Sequence, residues 1–156
     1  MRLIIALLTV LMFAIPASAQ TMEPRDGWTI MATGKSYDQL VEDVIAATKA
    51  NKMGVVTQAG PTQAAANRGI TIPGNRVIGI FNNDFAVKIL RLSTAAMIEA
   101  PIRMYVTEAE AGTATLAYKR PSFVFAPYMD EAGEELRDLA AELDARFDAI
   151  ADMAVN

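Results

Sequence analysis

The sequence predicts an α+β fold: a two-layer domain with an about five-stranded, mostly antiparallel sheet and helices on one face, in the order β-α-β-(α)-β-α-β-β-α. Three observations predict it. Short apolar segments alternate with amphipathic helical ones as far as Pro101. Residues 102–119 then alternate with period two about a glycine, as a hairpin does, so the sheet is not purely parallel. The C-terminal stretch carries its apolar residues at helical spacing.

Residues 1–19 stand apart from this domain. Arg2 precedes the apolar run Leu3–Ile15, Pro16 ends it, and Ala17-Ser18-Ala19 has the small-x-small form of a signal-peptidase site. The run is shorter than the roughly 20 apolar residues a membrane span needs. The expectation is a signal peptide over 1–19, export to the periplasm or medium, and no membrane association after cleavage. Residues 20–27 are expected to be a flexible N-terminal segment, and 28–156 a single α+β domain.

The first strand is read at Trp28–Ala32. Ser36 is a good N-cap for the helix that follows, with Gln39 completing a capping box. Tyr37, Leu40, Val41, Val44 and Ile45 share its apolar face, and Gly54 is placed just past its end. "GVVTQAG" reads as a short strand and "PTQAAANRG" as one or two helical turns. "RVIGIFN" is apolar on both faces and reads as a central strand. A helix follows from Asn83 to about Leu92, and "LSTAAMIEAP" restarts it before Pro101. In the hairpin, Ile102, Met104 and Val106 alternate with Arg103, Tyr105 and Thr107. Ala114, Leu116 and Tyr118 alternate with Thr113, Thr115 and Ala117, and Gly112 supplies the turn. In the last helix, Leu136, Leu139, Ala140, Leu143, Phe147 and Ile150 fall on one face.

Composition narrows the chemistry. The chain has no His and no Cys. Ser-His-Asp and Cys-His nucleophile systems are therefore excluded, as are the usual zinc ligand sets. Acid–base work would fall to carboxylates, Lys or Tyr. Removal of Arg2 with the leader leaves 13 basic against 18 acidic residues, a net charge of −5, with no basic block to hold nucleic acid. No metal and no cofactor are expected.

Four groups of residues have the chemistry of a site. Asn83 could present its amide to an anion, but the preferred reading makes it the N-cap of the helix and Asp84 its first residue. The ladder Asp144, Asp148 and Asp152 lacks the wrapped loop that calcium needs, so it reads as a solvated helix face. The scattered Met residues read as core filler rather than a copper site. Arg103, Lys119 and Arg120 could together hold a carboxylate or phosphate; the alternative is edge-strand charge that discourages aggregation.

Residues from about Trp28 to Ile150 resemble the domain of unknown function 302 family, which is bacterial and archaeal and has exported members. The resemblance lies in the helix after the first strand, "AAANRGITIPGNRVIGIFNN", "APIRMYVTE", and "AYKRPSF" before a closing helix. Relatives commonly carry Gly-Asn-Pro where this chain has Asn82-Asn83-Asp84. Pro101, Glu108, Tyr118 and Pro121 also match. Many relatives have an acidic residue and a His where this chain reads Gly60-Pro61, so chemistry centred on that His would be absent here. The resemblance implies a two-layer α+β fold and a homodimer, and it implies no activity.

The expected function is that of an exported domain, not catalytic by itself, which binds a small apolar or anionic ligand on its open sheet face. Asn83, Arg103, Tyr105, Glu108, Tyr118, Lys119 and Arg120 are its candidate ligand residues. A structural or regulatory protein-interaction module is the alternative. A weak hydrolase or lyase with Glu108 and Tyr118 as acid–base pair is a third reading.

Overall fold

The computed structural model describes residues 22–109 and 111–156; the expected leader and the first residues after it lie outside that range. The elements are β1 (Trp28–Ser36), α1 (Tyr37–Ala50), β2 (Gly54–Ala59), α2 (Thr62–Ala66), β3 (Asn75–Phe81), α3 (Asn83–Leu92), β4 (Ile102–Glu108), β5 (Thr113–Lys119), α4 (Pro121–Phe125) and α5 (Met129–Val155). Single 3₁₀ turns lie at Ala96–Glu99 and Ala126–Tyr128. The five strands form one sheet in the order β1-β5-β4-β3-β2, and every pairing is antiparallel. That order places β4 and β5 inside the sheet, so the expectation of edge-strand charge at Arg103 and Lys119 is not met. This is the expected α+β architecture, with α4 added between the hairpin and the last helix.

The hairpin sorts its side chains by period two. Ile102, Met104, Val106, Ala114, Leu116 and Tyr118 are buried and face the helices. Ile78 and Ile80 of β3 extend that apolar face. Leu40 and Val44 of α1, Ile89 of α3, and Leu136, Leu143, Phe147 and Ile150 of α5 cover it. Burying such side chains is the main stabilising term, at roughly 1.5–3 kcal/mol for each large one.

Helix ends depart from expectation in instructive ways. Ser36 caps α1 by accepting from the Gln39 N–H at 3.3 Å, but the Gln39 side chain donates to Asp43 instead of closing the box. The C-terminus of α1 is a Schellman turn, in which Lys52 N donates to Lys49 O and Met53 N to Thr48 O. The left-handed residue is Lys52, at φ 58°, not Gly54, which already begins β2. The cap of α3 is Asn82, not Asn83. Asn82 is extended (φ −144°, ψ 127°), and its side-chain oxygen accepts from the Asp84 and Phe85 N–H groups at 2.9 and 3.3 Å. Asn83 is already helical and exposed. Gly133, at φ 69° and ψ −155°, interrupts α5, so the continuous helix begins beyond it.

Candidate functional site

The sheet face away from the helices carries the other half of each strand. Register places Trp28 of β1 opposite Lys119 of β5, and one step beyond the Met104–Tyr118 pair brings Lys119 opposite Arg103 of β4. In the next row Ile30 lies opposite Ala117, Ala117 opposite Tyr105, and Tyr105 opposite Val77 of β3. Ala117 is small and sits between larger neighbours on both sides. That leaves a depression along β5, walled by Trp28 on one side and Tyr105 on the other. Toward β2 the face is filled. A Cβ on Gly79 would come within 2.1 Å of Thr57 Oγ1 and 2.9 Å of Pro101 Cγ, so only glycine lets these two close over β3. The result is a groove of about 380 Å³, open to solvent, running from Asn75 and Val77 across the middle of the sheet toward Glu99 and Val124.

Its walls are aromatic and its lip is cationic. The Lys119 ammonium lies 5.6 Å from the Trp28 ring centroid, and the Arg25 guanidinium 5.2 Å from it. Among the described residues neither Lys119 nor Arg103 forms a salt bridge, and both are exposed. The Tyr105 hydroxyl accepts from the Asn75 side-chain amide, which leaves its own proton for another acceptor. One carboxylate lines the groove: Glu99, which accepts from the Tyr128 hydroxyl at 2.8 Å. That bond, followed by partial burial, raises the Tyr128 pKa above the ordinary tyrosine value.

Sequence reasoning joined residues that the fold separates. Arg103, Tyr105 and Lys119 meet in the groove, and Tyr118 borders it. Arg120 does not join them. Pro121 starts α4 there and turns the chain toward the helical layer, where the Arg120 Nη2 lies 3.1 Å from Asp144 and its Nη1 3.2 Å from Asp148. Asp144 also accepts from the Ser122 N–H at 2.9 Å and the Ser122 hydroxyl at 2.6 Å. Burial alone would lower the Arg120 pKa, but the two carboxylates outweigh it and raise it. Asp144 and Asp148 are thus not a solvated helix face: they bolt α5 to the end of β5. Tyr118 belongs to this clamp, donating to Asp148 at 2.6 Å. Burial, and then that bond, push its pKa well above the usual tyrosine range.

Glu108 is likewise elsewhere. Its carboxylate accepts from the Gly74 N–H at 2.7 Å. Glu108 pairs with Ala114, and Tyr118 lies four residues further along β5, roughly 13 Å away at strand rise. The two are not brought together as an acid–base pair. Asn83 lies outside the groove at the start of α3. Groove residues that the sequence did not single out include Trp28, Asn75, Glu99 and Ala117. Trp28 was readable as a strand residue, but its pairing with Lys119 joins chain segments about ninety residues apart, and no local pattern encodes that.

The family model described as "Domain of unknown function DUF302" matches residues 29–154. Among solved structures, the crystal structure of an uncharacterized conserved DUF302 protein from Bacillus stearothermophilus is similar in fold. It has a TM-score of 0.73 and 16% sequence identity, over 85% of this chain and 100% of that one. No curated protein matches the chain. The family model spans every element from β1 to α5, and on that match the chain belongs to the DUF302 family.

Proposed function

We propose that this protein is an exported, non-catalytic binding domain whose open-face groove takes a small amphipathic anion. One observation carries the reading: two cations without an ion-pair partner among the described residues, Arg103 and Lys119, line an apolar, aromatic-walled groove on a chain whose overall net charge is −4. Uncompensated positive charge on an acidic protein has a cost in self-repulsion only if nothing neutralises it, and it draws small anions to the site. The volume is at the small end of ligand sites. With neither His nor Cys in the chain, Glu108 outside the groove, and the hydroxyl of groove-lining Tyr118 committed to Asp148, binding is better supported than turnover.

Native mass spectrometry of the protein released from its own cell envelope tests this. The expected result is one small non-covalent anion per chain, missing from an Arg103→Glu/Lys119→Glu variant. Identical bare spectra for both proteins would contradict it. The same sample tests export: the intact mass should begin at Gln20, and retention of Met1–Ala19 would contradict the signal peptide.

A two-fold homodimer through the open face is a second reading, also able to serve a protein-interaction role. It is favoured by the half-buried Trp28, Ile30, Val77 and Tyr105 on that face. Against it, a two-fold contact there would crowd Arg103 and Lys119 against their own copies. Sedimentation at micromolar concentration separates the two, with a dimer requiring at least about 1,000 Å² of buried surface.

A further inference from the structure

Resting on the reading of the groove as an anion site, we propose that the anion it takes is a planar aromatic carboxylate, with its ring laid over Ala117 between Trp28 and Tyr105.

The spacing of the walls points to a ring. Trp28 and Tyr105 stand on β1 and β4, which flank β5, with Trp28 in the Lys119 row and Tyr105 in the Ala117 row, so two interstrand steps of about 4.8 Å and a two-residue rise along the strand put their backbones roughly 12 Å apart. A ring resting on β5 between Ala117 and Lys119 sits about midway, roughly 6 Å from each wall and within the roughly 4.5–7 Å centroid range of aromatic pairs on both sides. The floor offers no polar side chain to satisfy, since Ala117 and Val77 are apolar. An unbranched acyl chain would use neither aromatic face for ring-on-ring contact.

The polar groups point to a single carboxylate. Lys119 lies over the face of Trp28, and a ring on that face would displace the ammonium toward the carboxylate the ring carries. Arg103, its neighbour across the strands, supplies a forked donor, the geometry a carboxylate accepts. Tyr105 supplies an O–H, because its oxygen is already engaged by Asn75. Glu99 at the far end repels a second negative charge, which disfavours a polyanion such as a nucleotide.

The chain has one Trp, so its indole N–H gives one unambiguous signal at the site. ¹H–¹⁵N spectra of residues 20–156 are recorded with 2-naphthoate, octanoate and inorganic phosphate in turn. Naphthoate should shift the Trp28 indole and amides of β1, β4 and β5, and bind at least about tenfold tighter than octanoate. Trp28→Leu should lose about tenfold toward naphthoate with no change toward octanoate, whereas Lys119→Gln should weaken both by about tenfold. Octanoate or phosphate binding in the groove as well as naphthoate or better overturns the aromatic class and leaves the anion reading standing. No shift with any of the three overturns both. The selectivity ratio is measured on the unaltered protein, so the test holds even if Trp28→Leu fails to fold.

Discussion

Asn82 and Lys52 are joined by a 3.0 Å hydrogen bond from the Asn82 side-chain amide to the Lys52 carbonyl. The other end of the same amide caps α3, and Lys52 is the left-handed residue that ends α1. One side chain therefore closes one helix and opens another, and it fixes the β2 and β3 ends next to each other.

Asn82→Ala should cost about 1–2 kcal/mol in urea unfolding, since both the cap and the bond to Lys52 are lost. Asn82→Asp should fall in between, keeping the acceptor and losing the donor. Asn83→Ala should stay within about 0.5 kcal/mol. Equal losses at the two positions would refute Asn82 as the cap.

Lys52→Gly should stabilise the protein by about 0.5 kcal/mol. Relief of the left-handed penalty outweighs the added chain entropy, and the Schellman bonds are made by backbone alone. A net loss of stability would mean that the Lys52 side chain contributes more than its backbone strain costs.

Asp144→Ala should cost about 2–3 kcal/mol. Its side chain is only 12% exposed and accepts from Arg120 and twice from Ser122. The loss falls below that of a fully buried pair because solvent screens Arg120, which is 37% exposed. Asp152→Ala, on the same helix but outside the clamp, should change stability by no more than about 0.5 kcal/mol. Thermal and urea melts of the two variants decide it.

The Tyr118 phenol has a folded pKa raised above its ordinary value of 10.0 by burial and by its bond to Asp148. Its contribution to stability is therefore full below pH 10 and is lost as pH climbs through the higher folded value, where the unfolded chain releases the proton first. Tyr118→Phe should be less stable at pH 7 by about 1–2 kcal/mol. It should also lose stability less steeply above pH 10. Urea midpoints at pH 7, 10 and 11 check both halves, and parallel decline of the two proteins would contradict the account.

Much of the fold was legible because it is locally encoded. Leu136, Leu139, Ala140, Leu143, Phe147 and Ile150 follow the helical period and are all buried. Arg103 and Tyr105 alternate with buried neighbours and do face away from the core. What escaped is what depends on long-range placement or on very short elements. Five residues are too few for α4 to show a period, yet α4 is what turns Arg120 away from Lys119, although the two are adjacent in sequence. Asp144 and Asp148 have the spacing of any solvated helix face, and only the position of Arg120 reveals them as a clamp. The groove itself comes from Ala117, whose small size matters only because Trp28 and Tyr105 stand on the strands beside it.

The most direct test of the anion site is binding of 8-anilinonaphthalene-1-sulfonate, followed by energy transfer from Trp28. Arg103→Glu/Lys119→Glu is compared with Lys88→Glu/Arg91→Glu, which makes the same charge change on α3. The account predicts one site per chain, lost in the first variant by at least about a hundredfold and unchanged in the second. Equal binding by both variants would contradict it.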